Sequence, residues 1–149
     1  MQRQINKKIM LIGETFTGKS SLIGALSDDD YTPHRAMAIE YFGQFINTPG
    51  EFLENRRFYH ALITSSADCD IIIFVQDTTR NTSLFPPLFA SMFNRKIIGL
   101  SSKVDAEKSN RGLAERFLKN AGVKEIIETS TITGEGIDLL RQQINKPLN

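Results

Sequence analysis

Eight consecutive residues constrain the fold of this chain more than any other feature. The segment Gly13–Ser20 (GETFTGKS) matches the pattern G-x-x-x-x-G-K-[ST]; the apolar run Ile9–Ile12 precedes it, and apolar residues at helical spacing follow it, namely Leu22, Ile23 and Leu26. A glycine-rich turn between a strand and a helix presents backbone N–H groups and the positive end of a helix dipole to an anion. The segment therefore predicts a phosphate-binding loop.

The residue types in this loop are suited to a nucleoside triphosphate. We expect the Lys19 ammonium to bridge β- and γ-phosphate oxygens, and the Ser20 hydroxyl to bind a Mg²⁺ ion shared with them. Glu14 is unfavourable there, because a carboxylate beside a triphosphate must point away or be neutralised. The predicted nucleotide contacts at this end are Gly13, Glu14, Thr15, Phe16, Thr17, Gly18, Lys19, Ser20 and Ser21.

Short apolar runs alternate along the chain with segments of helical periodicity. Ile9–Ile12, Ile71–Val75 and Ile97–Leu100 are typical of central parallel strands, and Glu125–Glu128 predicts a further short strand. The predicted order is β-α-β-β-α-β-α-β-α-β-α. We therefore predict an α/β fold of three layers, a P-loop NTPase with a six-stranded, mostly parallel sheet and helices on both faces.

Four apolar stripes predict helices in addition to the first one. They are Phe58, Leu62 and Ile63; Phe85, Phe89 and Phe93, where Pro86 and Pro87 begin the helix; Leu113, Phe117 and Ala121, closed by Gly122; and Ile137, Leu140 and Ile144. We interpret the three phenylalanines as core or as a docking face. In a parallel sheet the loops after the strands share one edge, so we expect those at Gly13, Asn47, Asp77, Ser101 and Thr129 to lie together.

Length and composition exclude several classes of protein. The chain has 149 residues and a formal net charge of +1, which argues against a dedicated binder of nucleic acid or of a membrane surface. Cys69 is the only cysteine, so an intrachain disulfide is excluded and a reducing compartment is favoured. The first apolar stretch stops at Gly13, too short for a membrane span. We predict one domain, residues 1–149.

Three later segments resemble the nucleotide-binding loops of small GTPases of the translation-factor-related class. Asn47–Gly50 (NTPG) stands where those proteins carry D-x-x-G, Ser102–Asp105 (SKVD) where they carry N-K-x-D, and Ser130–Thr131 where they carry S-A. The resemblance implies a small-GTPase-like fold and a ligand of GTP or GDP, with ATP or ADP as the alternative, because Ser102 replaces an asparagine that braces the phosphate loop and the base.

The same resemblance assigns a role to single residues. The Gly50 N–H is expected to contact the γ-phosphate, and the Asp105 carboxylate to accept hydrogen bonds from guanine. The Lys103 stem would lie along the base, while Ser130 and Thr131 offer backbone N–H groups to the base carbonyl. We expect Ser102, Lys103, Asp105, Ser130 and Thr131 to form the base end of the site.

Departures from the GTPase pattern concern the metal and the reaction. Asn47 is neutral where an aspartate holds a water molecule on Mg²⁺, and Thr32 is the only threonine of 31–37 for the preceding metal loop. We expect Mg²⁺ to be bound by Ser20 and Thr32, and by Asn47 through water; Asp77 is a substitute carboxylate or the cap of its own turn.

For catalysis we predict Lys19, Gly50 and Glu51. Glu51 stands where a Ras-like GTPase has the glutamine that orients the attacking water. A carboxylate can orient or deprotonate water, but it repels the γ-phosphate, so hydrolysis is expected to be slow. We interpret Arg56 and Arg57 as solvent-exposed residues at the start of a helix. The alternative is that they bind a phosphate or a carboxylate of a partner protein.

More closely, Asn47–Glu51 (NTPGE), Arg57–Thr64 (RFYHALIT) and Ser102–Asp105 resemble the EutP/PduV family. These are P-loop proteins of ethanolamine and propanediol utilisation in bacteria that build microcompartments. The resemblance implies a cytoplasmic bacterial protein that binds a nucleotide and a protein partner such as a microcompartment component, without nucleic acid or membrane insertion.

Three hypotheses for function stay open at this point. The first is a GTPase-like switch whose loops, Asp30–Ala38 and Gly50–Tyr59, change order with the γ-phosphate. The second is a phosphotransferase that passes the γ-phosphoryl group to a carboxylate such as acetate. The third is an accessory protein that binds nucleotide without turnover.

Overall fold

A computed structural model of the protein describes residues 5–27 and 30–148. Residues 1–4, 28–29 and 149, which the predicted domain includes, lie outside the described residues. The strands are β1 (Ile9–Gly13), β2 (Glu40–Phe42), β3 (Phe45–Asn47), β4 (Ile71–Asp77), β5 (Lys96–Ser102) and β6 (Glu125–Glu128). The α-helices are α1 (Lys19–Leu26), α2 (Glu51–Glu54), α3 (Tyr59–Ser65), α4 (Arg111–Asn120) and α5 (Ile137–Asn145).

The strands form one sheet in the order β2-β3-β1-β4-β5-β6. β2 pairs antiparallel with β3, and the other neighbours pair in parallel. The prediction of a six-stranded, mostly parallel sheet is confirmed. Because β3, β1, β4, β5 and β6 run in the same direction, their carboxyl ends lie at one edge of the sheet, where the functional loops were expected.

Alternate residues of the central strands supply two separate cores, one on each face. On one face, Ile9 and Leu11 of β1 pack with apolar residues of α1 and α5. On the other face, Met10 and Ile12 pack with residues of α2, α3 and α4. Burial on both faces explains why β1 and β4 read as continuous apolar runs in the sequence.

One predicted helix does not form. Between β4 and β5, Phe85, Phe89 and Phe93 are buried, but the only helical turns are 3₁₀, over Phe89–Met92. A residue before proline is disfavoured in the helical conformation, so Pro86 and Pro87 oppose a regular helix here. The phenylalanine rings pack on Phe74 of β4 at centroid distances of 4.8, 5.6 and 6.0 Å, which supports their interpretation as core.

The end of α4 and its buried face can also be compared with their predictions. Gly122 follows α4 with a φ of 92°, the left-handed conformation predicted for the end of that helix. Of the predicted stripe, Ala121 is buried at the end of α4, whereas Leu113 and Phe117 are only partly buried and Ala114 and Leu118 face the core instead. Among the described helices, none combines the length and the apolar character needed to cross a membrane.

Candidate functional site

The loop between β1 and α1 forms one wall of a cavity of about 390 Å³. Gly18 precedes the helix with a φ of 106°, which an L side chain rarely adopts, so the turn requires glycine there. The opposite walls of this phosphate cavity are formed by Pro33–Ala36 and by Asn47, Thr48 and Gly50. Three separate segments of chain therefore enclose the predicted phosphate site.

Lys19 lies in this cavity, and only 7% of its surface is exposed. Its Nζ donates hydrogen bonds to the carbonyl oxygens of Gly13 (2.8 Å) and Glu14 (2.9 Å), which hold the ammonium within the loop. Burial lowers the pKa of Lys19 to about 8, and the nearby Glu54 carboxylate opposes that shift. The group is mainly cationic at neutral pH, as phosphate binding requires.

Arg80, which the sequence reasoning missed, neutralises the unfavourable Glu14. Its Nη1 lies 2.7 Å from Glu14 Oε1, and the same guanidinium donates to the carbonyl of Thr15. The backbone N–H of Leu84 also donates to Glu14, at 3.3 Å. The Glu14 carboxylate thus braces the phosphate loop against the segment that follows β4 instead of facing a ligand. The charge of Glu14 was the only sequence signal that called for a cation here.

Ser20 opens α1 and contacts the loop that carries the predicted metal threonine. Its Oγ accepts a hydrogen bond from the His34 backbone N–H at 2.7 Å and lies 3.4 Å from the Tyr31 hydroxyl. Thr32 is exposed, and its carbonyl oxygen contacts His34 Nδ1 at 2.9 Å. Ser20 lies in the phosphate cavity, whereas Thr32 is not among the described residues that line it. The metal role of Thr32 stays a prediction.

Asn47 ends β3 and lines the same cavity with a buried side chain, 3% exposed. Its Oδ1 is buried and has no hydrogen-bond partner among the described residues. A buried acceptor without a partner costs about 1–3 kcal/mol, and a cation or its water shell supplies what it lacks. The amide oxygen of Asn47 and the hydroxyl of Ser20 are thus two oxygen donors on the walls of one cavity.

Gly50 and α2 pack directly on the phosphate loop. A Cβ atom on Gly50 would lie 2.2 Å from the Thr15 nitrogen, so only glycine allows this approach. Glu54 Oε2 accepts hydrogen bonds from the Thr15 N–H (3.1 Å) and Oγ1 (2.9 Å). Glu51, at the start of α2, is paired with Arg35. The sequence reasoning missed both Glu54 and Arg35, which no motif marks.

On the other side of the loop, β5 ends in the segment expected to bind the base. Ser102 Oγ donates to the Thr17 carbonyl at 2.6 Å, so the hydroxyl braces the phosphate loop although the amide of an asparagine is missing. Lys103 Nζ donates to the Phe16 carbonyl (2.6 Å) and to Asp77 Oδ2 (2.9 Å). This end of the loop is held from β5 by side-chain hydrogen bonds.

Asp77 caps its own turn, and both of its carboxylate oxygens have partners within the protein. Its Oδ1 accepts hydrogen bonds from the Thr79 N–H (2.8 Å) and Oγ1 (2.6 Å). Burial raises the pKa of Asp77, but the hydrogen bonds from Thr79 and Lys103 outweigh it and bring the pKa below its ordinary value. The alternative role that the sequence left open, the cap, is confirmed.

A second cavity, of about 210 Å³, lies beside Ser102–Asp105 and Thr129–Ile132. Asp105 Oδ1 accepts a hydrogen bond from Ser130 Oγ at 2.8 Å, which orients the carboxylate. The Ser130 backbone N–H donates to the Glu135 carbonyl at 3.0 Å, so this N–H is used within the protein instead of facing a base as predicted. Of the predicted base residues, Ser102, Lys103, Asp105 and Thr131 line this cavity, and Ser130 contacts Asp105 from outside its lining.

Comparison with known sequences identifies the family. Residues 6–146 match PduV-EutP, described as ethanolamine utilisation and propanediol utilisation. The chain belongs to the PduV-EutP family. It is 38% identical over 133 residues to the propanediol utilization protein PduV of Citrobacter freundii, covering 89% of each chain. It is 30% identical over 121 residues to the probable acetate kinase EutP of Escherichia coli strain K12, covering 80% of this chain and 76% of that protein.

Solved structures confirm the GTPase-like P-loop fold of this PduV-EutP chain. The bacterial selenocysteine-specific elongation factor EF-Sec superposes with a TM-score of 0.65 at 24% identity, over 93% of this chain and 28% of the factor. A single-site variant of Era from Aquifex aeolicus, bound to GDP and AlF4−, superposes with a TM-score of 0.65 at 19% identity, over 96% of this chain and 57% of Era. The G domain of the FeoB iron transporter of T. maritima superposes with a TM-score of 0.61 at 23% identity, over 92% of this chain and 95% of the G domain.

Proposed function

We propose that this chain is a Mg²⁺-dependent nucleotide-binding protein that prefers GTP to ATP and hydrolyses it slowly, with loops 30–38 and 50–59 responding to the γ-phosphate. One observation carries the proposal. The phosphate cavity and the base cavity share Gly18, Ser21 and Lys103, so they form one groove. Lys19 lies at one end of this groove and Asp105 at the other.

The groove presents the groups that a guanine nucleotide needs. At the base end, Asp105 accepts from the N1 and N2 donors of guanine, while the Lys103 stem flanks the ring. At the phosphate end, backbone N–H groups of Gly13–Ser20 and the Lys19 ammonium bind phosphate oxygens. The close packing of Gly50 on Thr15 of the phosphate loop supports a contact between the Gly50 N–H and the γ-phosphate.

The donor set at the phosphate end fits a Mg²⁺ ion carried by the nucleotide. Mg²⁺ keeps several water molecules and needs only one or two protein oxygens besides phosphate. Ser20 Oγ and the unpartnered Asn47 Oδ1, the latter through water, would hold it. The ion would stabilise the charge that develops on the phosphate oxygens. Because Asn47 is neutral, we expect weaker metal binding than with a carboxylate.

Glu51 is the residue proposed to position the attacking water. Its side chain is paired with Arg35, which lines the phosphate cavity, and its Oε1 is buried without a partner among the described residues. Lys19 and the Gly50 N–H would stabilise charge on the transferred phosphoryl group. Slow turnover is expected, since the carboxylate repels the γ-phosphate.

The biological setting and the partner are also proposals. Membership of the PduV-EutP family supports a role in propanediol or ethanolamine utilisation, in the bacterial cytoplasm and in association with a microcompartment component. We expect neither nucleic-acid binding nor membrane insertion, in line with the net charge of +1.

A second function follows from the relatives described as probable acetate kinases, which are 30% and 31% identical to this chain. In that case, the γ-phosphoryl group would pass to the carboxylate of acetate instead of to water. The loop Pro33–Ala36, which covers the phosphate cavity and carries Arg35, would then exclude water from the acceptor.

One experiment separates the candidates. The protein is incubated with GTP or ATP and Mg²⁺, with and without acetate, and free phosphate and acetyl phosphate are measured. Free phosphate released at more than one equivalent supports slow hydrolysis, and acetyl phosphate formed only with acetate supports the transferase. Nucleotide binding without either product leaves an accessory binding protein. Equal affinity for ATP and GTP would contradict the preference for guanine.

A further inference from the structure

Two charged side chains from different segments form an ion pair, and one of them lines the phosphate cavity. Arg35, in the loop between α1 and β2, pairs through Nη2 with Oε2 of Glu51, the first residue of α2. Arg35 itself lines the cavity that contains Lys19 and the phosphate loop. Both side chains remain partly exposed, at 46% for Arg35 and 36% for Glu51, so the pair can rearrange.

The Glu51 carboxylate is ionised in this position. A hydrogen bond from its own backbone N–H lowers the pKa of Glu51, burial opposes the shift, and Arg35 adds to the lowering. A terminal phosphate in the cavity that Arg35 and Lys19 line would add negative charge near this carboxylate, which already interacts electrostatically with Lys19. The two anions repel each other unless a cation lies between them.

Arg35 is the cation with donors to spare. A guanidinium has five N–H donors in a planar fork and can bind two anions at once. Among the described residues, Glu51 is the only hydrogen-bond partner of Arg35. The other cations near the loop are already engaged: Lys19 with carbonyls of its loop, Arg80 with Glu14, Lys103 with Asp77, and Arg57 over the Phe58 ring.

We propose that Arg35 is a specificity-determining residue for the γ-phosphate, a cation shared between the Glu51 carboxylate and the terminal phosphate of a nucleoside triphosphate. The inference rests on the proposed function and deepens it. Arg35 would make the site prefer triphosphate to diphosphate, and it would allow Glu51 to hold a water molecule beside the phosphoryl group through its unpartnered Oε1.

The test measures binding and needs no turnover. Affinities for GDP and for a non-hydrolysable GTP analogue, both with Mg²⁺, are determined for wild type, Arg35→Ala, Arg35→Lys and Arg116→Ala. Loss of a charge-assisted hydrogen bond corresponds to about a tenfold change in affinity. We expect Arg35→Ala to lower the affinity for the triphosphate analogue about tenfold and the affinity for GDP by less than about twofold. Lysine should restore part of the loss, and Arg116→Ala, which removes an exposed arginine of α4 outside the groove, should change neither affinity.

A second pair of variants tests whether the contact is direct. In a Glu51→Gln background, the repulsion between residue 51 and the terminal phosphate is removed. Arg35→Ala should still lower the affinity for the triphosphate analogue about tenfold in that background. If that loss disappears in the Glu51→Gln background, Arg35 acts only by neutralising Glu51, and the inference is wrong. Equal losses for GDP and the analogue would also overturn it, because they indicate a residue that merely holds its loop.

The outcomes distinguish this inference from the function on which it depends. Wild-type protein that binds neither nucleotide contradicts the proposed function itself. Wild-type protein that binds both, with the same ratio of affinities in Arg35→Ala, contradicts only the inference. Thermal unfolding of each variant, monitored by circular dichroism, verifies that the comparison is made between folded proteins.

Discussion

The two ends of the groove differ in how their polar groups are satisfied. At the base end, the side chains of Ser102, Lys103 and Asp105 each form a hydrogen bond with a donor–acceptor distance of 2.9 Å or less. At the phosphate end, Asn47 Oδ1 and Glu51 Oε1 are buried and have none among the described residues. Satisfied groups hold one geometry, whereas unpartnered ones gain most from a ligand. The base end is therefore preorganised, and the phosphate end is the part that a ligand would rearrange.

The largest effect on this difference between the two ends is expected when the cation at the phosphate end, Lys19, is removed. We expect Lys19→Ala to weaken nucleotide binding about a thousandfold, because two charge-assisted contacts to phosphate are lost. The affinity for a fluorescent guanine nucleotide is the measurement. Lys124→Ala, an exposed lysine remote from the groove, is the control. Unchanged binding in Lys19→Ala would disprove the phosphate-loop assignment.

The base end is tested by changing its carboxylate. Asp105→Asn replaces an acceptor of two guanine donors by an amide, so we expect about a hundredfold weaker binding of GDP and a shift of preference to xanthine nucleotides. The asparagine Oδ1 can still accept from Ser130, which keeps the loop in place. Competition between GDP and XDP measures the shift, and a ratio equal to that of wild type would contradict the role of Asp105.

The contact between Arg80 and Glu14, which braces the phosphate loop, is tested through stability. Arg80→Ala leaves the Glu14 carboxylate, 9% exposed, without its cation. Arg80 is itself 31% exposed, so water screens the pair, and we expect a loss of about 2 kcal/mol in the free energy of unfolding by urea. Glu14→Gln combined with Arg80→Ala should recover most of it. The exposed Arg116→Ala serves as control; a similar loss there would argue against a specific brace.

The smallest expected effect concerns the metal. Asn47→Asp adds a carboxylate to a cavity wall that now offers neutral oxygens, so we expect the Mg²⁺ concentration that half-saturates nucleotide binding to fall about tenfold. Asn110→Asp adds the same charge at the start of α4 and should leave the Mg²⁺ dependence unchanged. An identical Mg²⁺ titration in Asn47→Asp and wild type would show that Asn47 is not near the ion.

The sequence predicted those parts of the molecule that depend on local patterns. The loop Gly13–Ser20 has a fixed spacing between a strand and a helix, and the strand Glu125–Glu128 has the predicted bounds. Arg80, Glu54 and Arg35 escaped notice because their roles depend on contacts with residues far away in the chain. Only the unfavourable charge of Glu14 indicated that some cation had to approach.

The helix predicted around Phe85, Phe89 and Phe93 shows a different limit. A spacing of four residues fits a helix, but it also arises when three rings of an irregular segment pack on one strand residue, here Phe74. Two consecutive prolines at the start of the segment were the stronger signal. Periodicity indicates which residues are buried before it indicates which backbone buries them.

The position of β1 in the middle of the sheet has a consequence for folding kinetics. Ile9 lies beside Phe45 on one side and Ile71 on the other, so the first strand acquires both neighbours only when distant parts of the chain have arrived. Parallel pairing at such separations slows folding and leaves apolar strands exposed meanwhile. The phosphate loop is anchored by β1 and by side chains from β5, and it is therefore among the last parts of a newly made chain to reach its final shape.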